Sequence, residues 1–278
     1  MVRKIKINEN IERLVLPYKD IFTSVWVIRT PDGVVLFDTA SSAADAEDHI
    51  LPWLEELGIA EEQIRYLFLS HNHRDHAGGL LQITATFPEA MIVSRCPDIK
   101  DAYWDSVLCP ADGDLLLKVL RVVTIPGHTP DSMALLDTRT GTLLTGDCLQ
   151  LFGIYGSGEW GANITLPAEH LKALKRLEKL PIKSIYFAHD YHPVGQCAEG
   201  AAAVKKTLDA CRMPLMRLKQ ILLENPDFDD AAVRKAYYGE ERLPKVSLKV
   251  IAAVRAATKS RKITRPTLAA HTCHAGRG

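Results

Sequence analysis

The stretch "FLSHNHRDHAGGL", residues 68 to 80, packs three histidines and an aspartate into the six positions from His71 to His76. Neighbouring imidazoles compete for hydrogen bonds and repel one another when protonated, so four such side chains together point to a shared task, and metal binding is the obvious one. In an extended segment alternate side chains share a face, so His71 and His73 can grip one ion. A helical turn beginning at Asp75 would redirect Asp75 and His76 towards a second ion. Gly78 and Gly79 support such a turn because they permit close backbone approach. Further candidates stand at the ends of other strand-like runs: Asp38 in "LFDTA", His128 in "TIPGHTPDS", Asp147 in "LLTGDC" and His189 in "IYFAHD".

The elements that must carry these residues follow from pattern. "RKIKI", "IERLVLP", "TSVWVIRT" and "GVVLFDT" read as a strand meander rich in β-branched and aromatic residues, with Pro31-Asp32-Gly33 as a tight turn. "AADAEDHILPWLEELG" spaces Ile50, Leu51, Leu54 and Leu57 along one helical face, with a kink or break expected near Pro52. "IRYLFLS" returns to strand and delivers the histidine cluster. "AMIVS" is another strand and is followed by a loop-rich stretch. "LKVLRVVTIPGH" and "MALLDTRTGTLLTGD" are later strands with a turn at Thr140-Gly141. "PAEHLKALKRLEKLP" is a helix with a proline start, and "KSIYFAHD" is a strand ending in a histidine. From about Gly195 the pattern becomes helical, with a loose tail at "HTCHAGRG". Catalytic groups commonly sit in loops at strand ends, held by a rigid scaffold.

At 278 residues the chain can bury a substantial core. Its 34 basic and 34 acidic side chains cancel, so nothing resembles the footprint of a general nucleic-acid binder. No apolar h-region follows the charged N-terminus and no run of 18 apolar residues occurs, which argues against a signal peptide and a membrane span and makes a cytoplasmic protein the default. The six cysteines are scattered without a CxxC pair, so they are expected to be reduced.

The ordered series of aspartate, HxHxDH, histidine, aspartate and histidine, together with "PGHTPDS" and "TGD", resembles the metallo-β-lactamase fold superfamily over about residues 1 to 195. The resemblance implies an α/β fold, an αββα sandwich of two mixed sheets with a metal site at one edge. Residues 1–195 would form the catalytic domain and 196–278 a helical C-terminal extension. It implies two divalent metal ions, with Zn expected and Fe or Mn as alternatives. His71, His73 and His128 would hold one ion, Asp75, His76 and His189 the other, and Asp147 would bridge them. Asp38 would orient a ligand or nearby backbone without binding metal. A metal-bridging hydroxide would then cleave an ester, thioester or lactone, with Asp75 or Asp147 passing a proton to the leaving group.

Among the superfamily's branches, glyoxalase II and the quorum-signal lactonases are closest in pattern. Asp147 departs from the true β-lactamases, which lack that carboxylate. His192 competes with His189, which is favoured because it directly follows the strand; Tyr155 is a candidate for the lactonase tyrosine. His170, His271 and His274 read as bystanders. The C-terminal helices either shape a pocket for a small-molecule substrate or serve packing or a homodimer. Two other readings stand beside the hydrolase: a mononuclear iron, persulfide-dioxygenase-like enzyme using His71, His128 and Asp147, and a non-catalytic metal-binding protein.

Overall fold

Runs such as Val25-Trp26-Val27-Ile28 are apolar at every position because the strand is covered on both faces. Alternate side chains leave a strand on opposite sides, so Trp26 and Ile28 join one core cluster while Val25 and Val27 join another. The computed structural model describes residues 1–19, 21–151, 154–155, 160–161, 163–191, 195–239 and 246–263. A seven-stranded sheet runs in the order β1 (Arg3–Lys6), β2 (Ile11–Tyr18), β3 (Ile21–Thr30), β4 (Gly33–Phe37), β5 (Ile64–Phe68), β6 (Met91–Val93) and β7 (Val107–Leu108). It is antiparallel as far as β4 and parallel from β4 to β7.

The second sheet contains β8 (Leu115–Leu116), β9 (Leu120–Thr124), β10 (Met133–Asp137) and β11 (Thr142–Thr145). A small hairpin of β12 (Ile154–Tyr155) and β13 (Trp160–Gly161) follows apart from it. The sheet resumes with β14 (Ser184–Tyr191), parallel to β11, and closes with β15 (Gly195–Glu199), antiparallel to β14.

The helices are α1 (Ala43–Asp45), α2 (Leu51–Glu56), α3 (Arg74–Ala77), α4 (Leu80–Thr86), α5 (Pro97–Tyr103), α6 (Pro167–Leu177), α7 (Ala201–Glu224), α8 (Asp230–Tyr238) and α9 (Leu248–Ile263). A π-helical turn over Ala46–Ile50 joins α1 to α2 with the backbone helical throughout, so the kink or break expected near Pro52, in the first turn of α2, is instead a π turn just before that proline.

Three apolar layers make this a sandwich. Trp26, Phe37 and Phe68 of the first sheet face Val122, Leu135 and Leu144 of the second. The outer face of the first sheet buries Val25, Val27 and Leu36 with Ile50, Trp53, Leu80 and Ile83 from its helices. The outer face of the second buries Leu143, Ile185 and Phe187 with Leu174 and Leu177 of α6 and Val204 and Leu208 of α7. The architecture is therefore αββα, with helices following the second sheet. These helices close a further core of their own, in which Leu218 of α7 meets Val233 and Tyr237 of α8 and Val250 and Ile251 of α9.

Two local differences from the pattern reading have physical causes. The segment after residue 195 begins with a strand, because Ala198 lines the second sheet's outer core and the backbone pairs with β14 before α7 starts. The stretch after "AMIVS" contains α5, which opens with Pro97 in its first turn, where the missing N–H costs nothing, and buries Ile99. His192, His271 and His274 lie outside the described residues, as does Cys273; the remaining five cysteines are free thiols.

Because α7 covers Ile185 and Phe187, removing residues 201–278 should uncover an apolar sheet face. The expected outcome is aggregation or loss of the cooperative melting transition, read by light scattering and circular dichroism. A monodisperse truncation with the full-length melting temperature would show that the layer is dispensable.

Candidate metal centre

Strand β5 ends at Phe68, one step before the loop that carries His71 and His73. The chain then turns into α3, with His73 at its N-cap in extended conformation, which swings Asp75 and His76 inward. Both are buried, whereas His73 is exposed. The turn is tied down by backbone bonds: Thr39 N–H donates to the His76 carbonyl (2.7 Å), and Gly78 N–H donates to the Ala40 carbonyl (2.9 Å). A Cβ on Gly78 would sit 2.2 Å from the Ser41 carbonyl oxygen, and one on Gly79 would sit 2.4 Å from that of Thr39. Close approach, rather than a special dihedral, is the reason for both glycines.

The remaining residues arrive from the second sheet. His128 lies in the loop between β9 and β10, Asp147 follows β11, and His189 is near the end of β14. Two groups result, each with ligand atoms within 4.8 Å of one another: His71, His73, His128 and Asp147, and Asp75, His76, Asp147 and His189. Asp147 belongs to both. Its Oδ1 lies 2.8 Å from His189 Nε2 and 3.3 Å from His76 Nε2, while its Oδ2 lies 3.5 Å from His128 Nε2. The Asp75 carboxylate stands 3.6 Å from His76 Nε2 and 3.7 Å from His189 Nε2.

Each buried imidazole of the two groups is aimed by a partner on its other nitrogen. His76 Nδ1–H donates to Asp38 Oδ2 (2.7 Å), His189 Nδ1–H to the Phe22 carbonyl (2.6 Å), and His128 Nδ1–H to the Asn163 carbonyl (3.2 Å). Asp38 also accepts from Ser70 N–H (2.7 Å) and Ser70 Oγ–H (2.8 Å), and Ser70 Oγ in turn accepts from His71 Nδ1–H (3.1 Å). Asp38 belongs to neither ligand group. Its contacts are with the groups that orient His76 and His71.

The arrangement suits a cation. His76 Nε2 is fully buried and makes no hydrogen bond of acceptable geometry, although carboxylate oxygens stand near it. Neutral imidazoles and carboxylates are borderline-to-hard donors, the usual set for divalent transition ions. Burial drives His71 well below the ordinary histidine range, reinforced by His76, and it lowers His128 against the pull of Asp147. For His76 burial acts downward too, but Asp147 and Asp38 more than offset it and its pKa lies well above the usual value. His189 is raised in the same way, with Asp147 outweighing burial. Asp147 is held well below the carboxylate range because His189 and His76 overcome the upward push of burial, whereas for Asp38 burial prevails and the pKa is raised.

Pattern reading passed over Ser70, Asn163 and the Phe22 carbonyl. A serine directly before a ligand histidine offered a weak signal; a backbone carbonyl offers none. His170 takes no part in either group. It is fully buried, pushed down to about 4 by burial and then by His128, and packed beside Gly127, where a Cβ would lie 2.4 Å from its Nδ1. Tyr155 lies in β12, on the hairpin that follows Asp147.

A metal must displace the proton that Asp147 and Asp38 favour on His76, so metal binding should release protons and weaken as pH falls through that raised pKa. Competition titration of chelator-stripped protein at several pH values would read this directly, and a pH-independent affinity would contradict it. Asp38→Asn keeps the volume but loses the charge, and should weaken metal binding by about 10–100-fold.

The metallo-beta-lactamase superfamily profile matches residues 18–95. A hydroxyacylglutathione hydrolase from Aeromonas hydrophila is 31% identical over 171 residues, which is 60% of this chain and 61% of that protein. A thioesterase from Emericella nidulans is 29% identical over 126 residues, 45% of this chain and 35% of that protein. The chain thus spans less than two thirds of the length of these curated relatives. A solved metallo-beta-lactamase family protein from Thermus thermophilus superposes with a TM-score of 0.63 at 18% identity, covering 93% of this chain and 95% of that one. Residues 18–95 are therefore similar in sequence to the metallo-beta-lactamase superfamily, and the two sheets with their helices share the fold of the solved Thermus thermophilus protein.

Proposed function

We propose that this protein is a dinuclear metal-dependent hydrolase of a small-molecule thioester, with oxygen esters and lactones as the neighbouring substrate classes. The observation that carries the reading is Asp147, one buried carboxylate common to two ligand groups. His71, His73 and His128 would hold one ion and Asp75, His76 and His189 the other; zinc is the natural occupant of such a histidine-carboxylate set. The ions would supply hydroxide near neutral pH and polarise the substrate carbonyl. A relative called a hydroxyacylglutathione hydrolase and another called a thioesterase favour the thioester within the carbonyl substrates.

The chain's own residues divide the remaining work. Asp147, held well below the carboxylate range by His189 and His76 against burial, stays ionised and keeps its charge between the two groups. Asp75, the other carboxylate of the second group, would take the proton released when the water becomes hydroxide and pass it to the leaving thiolate. A thiolate leaves with a conjugate-acid pKa of about 8.5, so this transfer asks little of it. His73 is the exposed ligand, and the substrate carbonyl approaches from its side, since the second group is buried throughout. Asp38 and Ser70 hold two imidazoles in register while the reaction proceeds. No helix among the described residues is long and apolar enough to cross a membrane.

Turnover of a thioester, ester and lactone panel in oxygen-18 water should place the label in the product carboxylate with no oxygen consumed. Asp147→Asn should lower the rate by roughly two orders of magnitude or more, the scale of losing a group that stabilises charge in the transition state, while circular dichroism stays unchanged. Turnover that requires ferrous iron and dissolved oxygen would replace the hydrolase with the mononuclear iron reading.

A further inference from the structure

The two ligand groups are supported unequally. Asp75 and His76 stand on α3 and His189 on β14, so the second group is carried by regular elements. Thr23 Oγ1–H adds a bond from β3 to the Asp75 carbonyl (2.8 Å). The first group depends on two loops. His71 and His73 lie in the loop between β5 and α3, and His128 lies in the loop between β9 and β10. The spacing of three imidazoles across two loops must be set by whatever joins those loops.

The rings of His73 and His128 meet across the gap through Nδ1 and Nε2 (2.9 Å), the nitrogens a metal would claim, and two further bonds join the loops without using a ligand nitrogen. Met133 N–H donates to the Ser70 carbonyl (2.8 Å), where β10 begins. Further out, Asn72 N–H donates to Asp131 Oδ2 (3.0 Å). Asn72 is the residue between His71 and His73, so holding its amide orients the peptide planes on which both ligands hang. Asp131 is three residues after His128, in a loop folded on itself by Thr129 and Ser132: their hydroxyls lie 2.7 Å apart and Thr129 N–H donates to Ser132 Oγ (3.2 Å). The ring packing agrees with a closed loop pair, since the His73 and His128 ring centroids are 4.7 Å apart and perpendicular.

We propose that Asp131 is a positioning residue that clasps the His71–His73 loop to the His128 loop and so sets the affinity of the first metal position, without touching metal or substrate. The inference rests on the dinuclear reading above. A hydrogen bond to an ionised acceptor is stronger and more directional than a neutral one, which suits a carboxylate to holding a loop amide. Asp131 is half-buried, so removing its side chain costs less packing than a core truncation would.

The experiment is a titration of chelator-stripped protein with Co²⁺, followed by calorimetry and by the visible absorption of the bound ion. Wild type should take up two equivalents. Asp131→Ala should weaken one of them by about 10-fold or more, the usual scale for a group that orients a ligand, and leave the other unchanged. Asp131→Asn retains an oxygen that can accept from Asn72 N–H and should recover most of that loss. Equal weakening of both equivalents, together with a lower melting temperature of the stripped protein, would mark Asp131 as a general fold stabiliser and overturn the inference. Unchanged binding by Asp131→Ala would overturn it as well, leaving the dinuclear reading intact. A wild type that binds one equivalent would overturn the dinuclear reading, and the inference with it.

Discussion

The structure depends on one buried carboxylate at the end of β4. Asp38 accepts from Ser70 N–H, Ser70 Oγ–H and His76 Nδ1–H, and its backbone N–H donates to the Phe68 carbonyl (2.8 Å). Its φ of +60° is an uncommon conformation for a residue with a side chain, and such strain costs on the order of 1–3 kcal/mol. Burying the carboxylate adds a desolvation cost that its three donors offset only in part. What the protein gains is a shared origin for two imidazoles: His76 is oriented directly and His71 through Ser70, so a ligand of each group takes its direction from the same pair of oxygens. Gly146 belongs to this arrangement. A Cβ there would lie 2.3 Å from Ser70 Oγ, so any larger residue before Asp147 would push on the relay.

The centre also needs both sheets at a fixed separation. His189 belongs to the second sheet, but its Nδ1–H is satisfied by the Phe22 carbonyl of the first. Next to it, Ser24 Oγ–H donates to the Ala188 carbonyl (2.6 Å), and buried Arg13 donates to the Phe187 carbonyl (3.0 Å) and to Ser24. The Arg13 guanidinium lies 4.7 Å from the Trp26 ring centroid, inside the same layer. Beyond the edge-on contact of Trp26 with Tyr186, polar groups take over where β3 meets β14, at the point where the backbone must hold a ligand still. Sliding the sheets would break the bond that aims His189 before it disturbed much apolar contact.

Ligands close together in sequence were the easiest to read. His71, His73, Asp75 and His76 reveal themselves because few other tasks crowd such side chains into one turn, and strand ends pointed to Asp38, His128, Asp147 and His189. The sandwich was legible only through the family resemblance that the motifs carry, whereas the strands showed as β-branched and aromatic runs and the turns at Pro31-Asp32-Gly33 and Thr140-Gly141 match the β3–β4 and β10–β11 connections. Supporting contacts were not legible, for a physical reason. The Phe22 and Asn163 carbonyls act through backbone atoms that every residue possesses, so no side-chain type announces them. The glycine at 127 depends on His170, and the one at 146 on Ser70, partners distant in sequence. Strand β15 was hidden because its short sequence precedes a long helical pattern that dominates any window containing both.

Asn163 links the last third of the chain to the centre. Its carbonyl accepts from His128 Nδ1–H, while its side-chain oxygen accepts from Ser247 Oγ–H (3.2 Å), just ahead of α9. Ile164, the next residue, is buried in the core formed by α7, α8 and α9. Thr165 N–H and Leu166 N–H both donate to the Gly127 carbonyl, directly before His128 (2.8 and 2.9 Å). The segment 163–166 is therefore held between the C-terminal helices on one side and the His128 loop on the other. A shift of α9 would be felt by a ligand histidine through two covalently adjacent residues. This gives the helices a mechanical route to the first ligand group, whose support comes from loops, while they reach the second through the packing of α7 on Ile185 and Phe187 of β14, the strand that carries His189.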